Sequence, residues 1–240
     1  MTNYLINLDT DAARLAFQRG QFARFGLAFE RVEACRDDPA SVARLRWWCA
    51  TLRPRVSGEV GCVLSHVKVF RTMLERGETA AAVFEDDVVL SPRVVAALEL
   101  AECACRLNPR LAVLLGDHRR SKAGEPLATA DEPLAIEPAG WDFGTEGYVI
   151  GAEAARNLLK GQGRVRTSPD AWGYYNHKGW VELARMRPPV AGQAVTKFES
   201  QLGVRYAVAG KPFLERAWWK FRRVVGMVID CLLDGGRRGW

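Results

Sequence analysis

The sequence predicts a single α/β domain with a mostly parallel central sheet, followed by a short C-terminal appendage. Three observations carry that expectation. An apolar strand is followed by a helix within the first 25 residues. The run AAAVF at 80–84 is apolar at every position, as a central strand covered on both faces would be. Strand and helix patterns then continue through residue 160. With 240 residues, 48% hydrophobic and 26% charged, the chain is neither disordered, collagen-like nor a polytopic membrane protein.

The elements follow in order. Residues 3–8, NYLINL, are the first strand. Asp9 and Thr10 can cap the next helix, whose apolar stripe is Leu15, Phe22 and Phe25 and which Gly26 ends. Residues 27–34 alternate as a second strand, and the Arg-rich stretch 35–56 reads as an insertion with a short helix. Ser57 opens a helix with apolar positions Val60, Val63, Leu64, Val67 and Leu74, stopped by Gly77. The run 80–84 ends in Glu85-Asp86-Asp87. Ser91-Pro92 starts a helix to Leu107, and 111–115 is another buried strand. A polar loop spans 116–140, then come a strand at 147–151 and a helix at 152–160 closed by Gly161. Beyond 162 the pattern weakens until 213, so the predicted domain is 1–213 and the appendage 214–240.

The net charge is +6, but its excess is local: residues 211–240 hold seven basic and three acidic side chains. A nucleic-acid binder spreads its basic stripe over the folded face, so nucleic acid is not an expected partner. At about 100° per residue, Arg216, Lys220, Arg223, Asp230 and Asp234 share one side of a helix, with Trp218, Phe221, Val225, Val228 and Leu232 opposite. A basic amphipathic helix suits an anionic membrane surface, or docking on its own domain. The six cysteines form no CxxC pair and no spacing typical of zinc, and no secretory signal or ~20-residue apolar span is visible. Those features point to the cytoplasm, with peripheral attachment to the inner face of its membrane.

Two constellations carry chemistry. Three carboxylates, Glu85, Asp86 and Asp87, end a buried strand where α/β sheets bind ligands. They repel one another unless a cation intervenes, and hard oxygen ligands suit Mg²⁺ or Mn²⁺, which can grip a diphosphate. Alone, the triplet fits a solvated acidic turn equally well. In GEVGCVLSH at 58–66, Gly58 and Gly61 bracket a helix start able to bind an anion, with Ser65 and His66 following. A lone helical histidine is also common as a structural one.

Taken together, INLD with Arg14, ERVEA at 30–34, GEVGCVLSH, VFEDDVVL at 83–90 and GYVIG with the following AA and LL resemble glycosyltransferase family 25, over roughly residues 3–175. The resemblance implies a GT-A type fold, a UDP-sugar donor (commonly galactose) and transfer with inversion to a surface glycan such as lipopolysaccharide. It puts Asp87 on the metal, with Glu85 and Asp86 contacting the nucleotide sugar. Asn7, Leu8 and Arg14 fall on the uracil and phosphate side, and Ser65 and His66 match the glycine-rich segment.

An inverting transfer needs a base on the acceptor hydroxyl. Asp170, in SPDAW, is the first candidate on chemical grounds, although it could also cap the segment after it. Glu146, just before GYVIG, is the second, and His118 and His177 are further metal-ligand candidates. Trp141, Phe143, Trp172, Tyr174, Tyr175 and Trp180 could line an acceptor site or pack a core. A metal-dependent nucleotidyl or phosphoryl transferase, and an inactive sugar-binding scaffold, are the competing functions.

Overall fold

A computed structural model describes residues 1–35, 57–117, 127–162 and 168–194. The first half contains β1 (Thr2–Asn7), α1 (Ala12–Arg24), β2 (Glu30–Glu33), α2 (Ser57–Glu75), β3 (Ala80–Glu85), β4 (Val88–Leu90) and α3 (Val94–Leu107). The second contains β5 (Leu111–Leu114), β6 (Ala135–Pro138), β7 (Gly147–Gly151), α4 (Ala152–Gln162), α5 (Trp172–His177), β8 (Glu182–Arg187) and β9 (Ala191–Gln193). The sheet lies in the unit made of Met1–Arg36 and Gly61–Ser200; of the second unit, Asp37–Val60 with Gln201–Trp240, only residues 57–60 are described. The predicted insertion helix within 35–56 and the appendage 214–240 therefore lie outside the described residues. Among the described residues, no helix is long and apolar enough to cross a membrane.

Seven strands form one sheet in the order β2-β1-β3-β7-β5-β8-β6. Strands β1, β2, β3, β5 and β8 run one way, and β6 and β7 the other, so the sheet is mixed and mostly parallel as expected. Successive side chains alternate between two apolar layers. Tyr4, Ile6, Val83, Tyr148 and Ile150 pack with Phe70 and Met73 of α2, Leu158 of α4 and Trp172 of α5. Leu5, Ala82, Phe84 and Val149 pack with Phe22 of α1 and Val94, Leu98 and Ala101 of α3. Both faces are covered, which explains why 80–84 is apolar throughout. Full burial of one large side chain such as Phe84 is worth about 1.5–3 kcal/mol.

Several local expectations are corrected. Asp11 caps α1, its carboxylate accepting from the Arg14 N–H at 3.1 Å, while Asp9 pairs with Arg31 instead. The buried stripe of α1 is Arg14, Gln18 and Phe22, and Leu15 and Phe25 are only half-buried. Helix α3 starts at Val94, because Ser91 closes a separate turn in which its carbonyl accepts from the Val94 N–H. Gly61 lies in the second turn of α2 and Gly161 inside α4. A side chain at 161 would collide with the Trp180 ring, so packing rather than termination explains that glycine.

The stretch beyond 162, where the pattern weakens, supplies α5, β8 and β9, and the 116–140 loop contains edge strand β6. Strand β8 (ELARMR) buries Leu183, Ala184 and Met186. Its arginines are paired from neighbouring segments: Arg187 with Asp117 at 2.8 Å, and Arg185 with Glu137 and Asp142 at 3.7 Å.

Candidate active site

Register places the site. Ile6 of β1 stands opposite Glu85 of β3, and β7, running the other way, begins with Gly147 opposite Phe84. The Leu115 N–H, just past β5, donates to the Gly147 carbonyl at 3.0 Å, and the Glu85 N–H to the Glu146 carbonyl at 3.3 Å. Thr145 and Glu146 thus arrive at the same sheet edge as Asn7 and the acidic triplet. That edge, at the carboxyl ends of the parallel strands, is where open α/β sheets take ligands.

The three carboxylates are held differently. Asp86 is buried and both its oxygens have internal donors: Arg14 Nη1 on Oδ1 and Asn7 Nδ2 on Oδ2, each at 2.8 Å. Arg31 Nε donates to Asn7 Oδ1 at 3.0 Å, which fixes the amide with its NH₂ toward Asp86. Gln18 donates to the Asp86 and Val88 carbonyls, and Gln21 clasps β4 from the same helix. Burial pushes the Asp86 carboxyl up, against the opposing pull of Arg14 and Asn7. Asp86, Asn7 and Arg14, all expected on the nucleotide side, are brought together here and hydrogen-bonded to one another.

Asp87 is different. Its Oδ2 accepts from Gln193 Nε2 at 3.1 Å, and its carbonyl from the Ala194 N–H, because β9 pairs with β4 just beyond the turn. Its Oδ1 is buried with no hydrogen-bond donor among the described residues. Burial, then the negative charge of Glu85, pushes this carboxyl up to about 7. Such a group favours a proton or a cation.

Glu85 Oε1 accepts from Thr145 Oγ1 at 2.5 Å and from Cys62 Sγ at 3.6 Å, and lies 3.5 Å from His66 Nε2. His66 is buried, with Nδ1 2.7 Å from the Tyr148 hydroxyl. Ser65 is tied to backbone: its hydroxyl donates to the Gly61 carbonyl at 2.7 Å and accepts from the Cys35 N–H at 2.8 Å. The Leu8 carbonyl accepts from the Asp11 N–H, shaping the turn into α1.

Glu146 is buried beside two glycines. Gly144 has φ +104°, and a Cβ at Gly144 or Gly116 would press on the Glu146 side chain. Asp170 is half-buried in the turn before α5, whose N-cap is Ala171 without a side-chain bond, so Asp170 does not cap it. Its neighbour Pro169 lines a small pocket with His66, Tyr148 and Trp172. His177 is exposed at the end of α5, and His118 lies outside the described residues.

Of the six aromatics, Trp172, Tyr174 and Tyr175 are buried. Trp172 packs edge-on to Tyr148 at 4.8 Å and to Tyr175 at 5.6 Å, and its Nε1 donates to the Gly144 carbonyl at 2.7 Å. Trp180 stacks on Tyr175 at 5.8 Å. These four build core; Trp141, 45% exposed, and half-buried Phe143 remain on the surface.

Sequence reasoning missed Gln18, Gln193, Thr145 and Cys62. Gln18 had a visible signal, since Arg14, Gln18 and Phe22 recur at every fourth position of α1. Cys62 and His66, also four apart, share a face of α2. Gln193 had none, because only the β4–β9 pairing brings it to Asp87.

A glycosyltransferase 25 family member of Aedes aegypti is 30% identical over 151 residues, 59% of this chain and 24% of that protein. The probable inactive glycosyltransferase 25 family member 3 of Bos taurus is 32% identical over 119 residues, covering 49% and 20%. Procollagen galactosyltransferase 1-A of Xenopus laevis is 31% identical over 121 residues, covering 49% and 19%. The chain thus matches about a fifth to a quarter of the length of these relatives. Residues 1–171 match the sequence profile of glycosyltransferase family 25 (LPS biosynthesis protein), and the chain belongs to that family.

Proposed function

We propose that this chain transfers a sugar, galactose first among candidates, from a UDP-sugar to a hydroxyl of a surface glycan of the lipopolysaccharide type, with inversion, and that it requires Mn²⁺ or Mg²⁺. The observation that carries the reading is Asp87 Oδ1, buried at the ligand-binding edge of the sheet without a hydrogen-bond donor among the described residues. The residues fit a divalent cation: Asp87 Oδ2 has Arg14 Nη1 at 3.8 Å, but its buried Oδ1 has no donor among the described residues and lies beside a second anion, Glu85, so burial still holds the carboxyl up. Asp87 would hold the ion, which when bound supplies Lewis-acid stabilisation of the departing diphosphate.

The chain's own residues do the rest. Arg14, Asn7 and Gln18 clamp Asp86 and the backbone around it, and so aim Asp87 and Glu85 at the edge. Glu85 is the carboxylate assigned to the nucleotide sugar. Glu146, brought to the same edge by β7, takes the acceptor proton; this supports it over Asp170, which lies in the turn before α5. As that O–H bond breaks, the acceptor oxygen bonds to the anomeric carbon and the bond from that carbon to UDP breaks on the opposite face.

The acceptor class rests on the family description, and galactose on the named galactosyltransferase relatives. The basic amphipathic sequence of 214–240 supports an anionic membrane surface as a partner. Sedimentation with anionic vesicles, comparing the full chain with one ended at 213, tests that part; equal binding by both overturns it.

A panel of nucleotide sugars with Mn²⁺ tests the reaction. The expected result is turnover of UDP-galactose that stops in excess chelator. Turnover of nucleotides without a sugar donor would favour a nucleotidyl or phosphoryl transferase. No binding or turnover of any donor would favour an inactive scaffold.

A further inference from the structure

Cys62 and His66 lie one turn apart on α2, and Glu85 ends β3; their ligand atoms all fall within 4.8 Å of one another. Cys62 Sγ is 3.6 Å and His66 Nε2 3.5 Å from Glu85 Oε1. With zinc bonds of about 2.3 Å to sulfur and about 2.0 Å to nitrogen or oxygen, tetrahedral ligand atoms lie roughly 3.3–3.5 Å apart. Two edges of that tetrahedron are therefore close to the required length.

The second ring of contacts is also in place. His66 is 3% exposed, its Nδ1 is held by Tyr148 at 2.7 Å, and its Nε2 points at Glu85 with no hydrogen bond of its own. A metal-ligating histidine has this arrangement, one nitrogen oriented by a partner and the other on the ion. Thr145 Oγ1 holds the Glu85 carboxylate at 2.5 Å. Cys62 and the Glu85 side chain are partly exposed, which gives an ion a way in.

We propose that Cys62, His66 and Glu85 form a site for one thiophilic divalent cation of the zinc class, with a ligand set distinct from that of Asp87. A thiolate and an imidazole select Zn²⁺ or Co²⁺ over Mg²⁺ and Mn²⁺, which prefer oxygen. Three protein ligands leave the fourth position for water or another oxygen. The Cys62 thiol, which donates to Glu85 without metal, gives up its proton to solvent on binding, and the imidazole would bind through Nε2 as the tautomer with its proton on Nδ1. Binding therefore tightens as pH rises. None of this depends on the transferase reading.

Titrating the metal-free full chain with Co²⁺ tests it. The expected result is a thiolate-to-cobalt charge-transfer band that saturates at one equivalent, is bleached by Zn²⁺ and is untouched by Mn²⁺. The band persists in Asp87→Ala and disappears in Cys62→Ser. Tyr148→Phe weakens Zn²⁺ binding by roughly 10–100-fold, as loss of an outer partner does. Absence of the band in the wild-type chain, or its survival in Cys62→Ser, overturns the proposal. Should Cys62→Ser not fold, X-ray absorption on the zinc-loaded wild-type chain decides: one sulfur among light-atom ligands supports the site, and a shell of oxygen alone overturns it.

Discussion

Arg14 Nη1 stands 2.8 Å from Asp86 Oδ1, with both side chains largely withdrawn from water. The pair joins the first helix to the acidic turn after β3, 72 residues later in the chain. Removing the cation leaves a buried carboxylate without its charge partner. Arg14→Leu is therefore expected to lower unfolding stability by about 3–5 kcal/mol at neutral pH. Adding Asp86→Asn to that variant should recover a large part of the loss. Chemical denaturation of both proteins checks this; equal stability of the single and double variants would show that the pair carries no such weight.

Asp87 gives a stability prediction with the opposite sign. Its carboxyl is raised to about 7 in the metal-free fold, whereas an unfolded aspartate titrates near 3.9. The folded chain holds this proton more tightly, so the stabilisation is full below about pH 4 and is lost as pH rises through about 7. Asp87→Asn should stabilise the metal-free protein by an amount that grows over that window, to about 4 kcal/mol by pH 8. Thermal melts in chelator from pH 4 to 8 measure it. A gain independent of pH would mean that the carboxylate's charge is not the cause.

The proton acceptor is resolved by comparing two variants. Glu146→Gln should reduce turnover by about 10²–10⁴-fold while donor affinity changes little, and Asp170→Asn should stay near wild type. The reverse outcome would move the base to the turn before α5. Gly144→Ala adds an independent check, since a methyl group there presses on the Glu146 carboxylate. Its turnover should fall in parallel with that of Glu146→Gln.

The legible parts of this molecule were those whose pattern is local. The run 80–84 is apolar at every position because both faces are covered, and its position in the chain already puts the acidic triplet at the end of that strand. The illegible parts depend on partners far away in sequence. Strand β8 hides its apolar positions among arginines that carboxylates from β6 and from residues 117 and 142 neutralise. The surroundings of each member of the triplet were equally hidden. Three adjacent carboxylates look alike in the sequence; Arg14 of α1 and Asn7 of β1 take up both oxygens of Asp86, whereas Gln193 of β9 reaches Asp87. Likewise, nothing local reveals that four of the six later aromatics pack against one another.

Asp87 is proposed to complete a metal-dependent site for a nucleotide sugar. Calorimetric titration of UDP-galactose into the wild-type chain and into Asp87→Ala, each with Mn²⁺ and with chelator, tests it most directly. Wild type should bind only with Mn²⁺, and Asp87→Ala should fail to bind in either condition while keeping its circular dichroism spectrum. Equal binding by wild type in chelator, or undiminished Mn²⁺-dependent binding by folded Asp87→Ala, would show that Asp87 holds no metal needed for the nucleotide sugar.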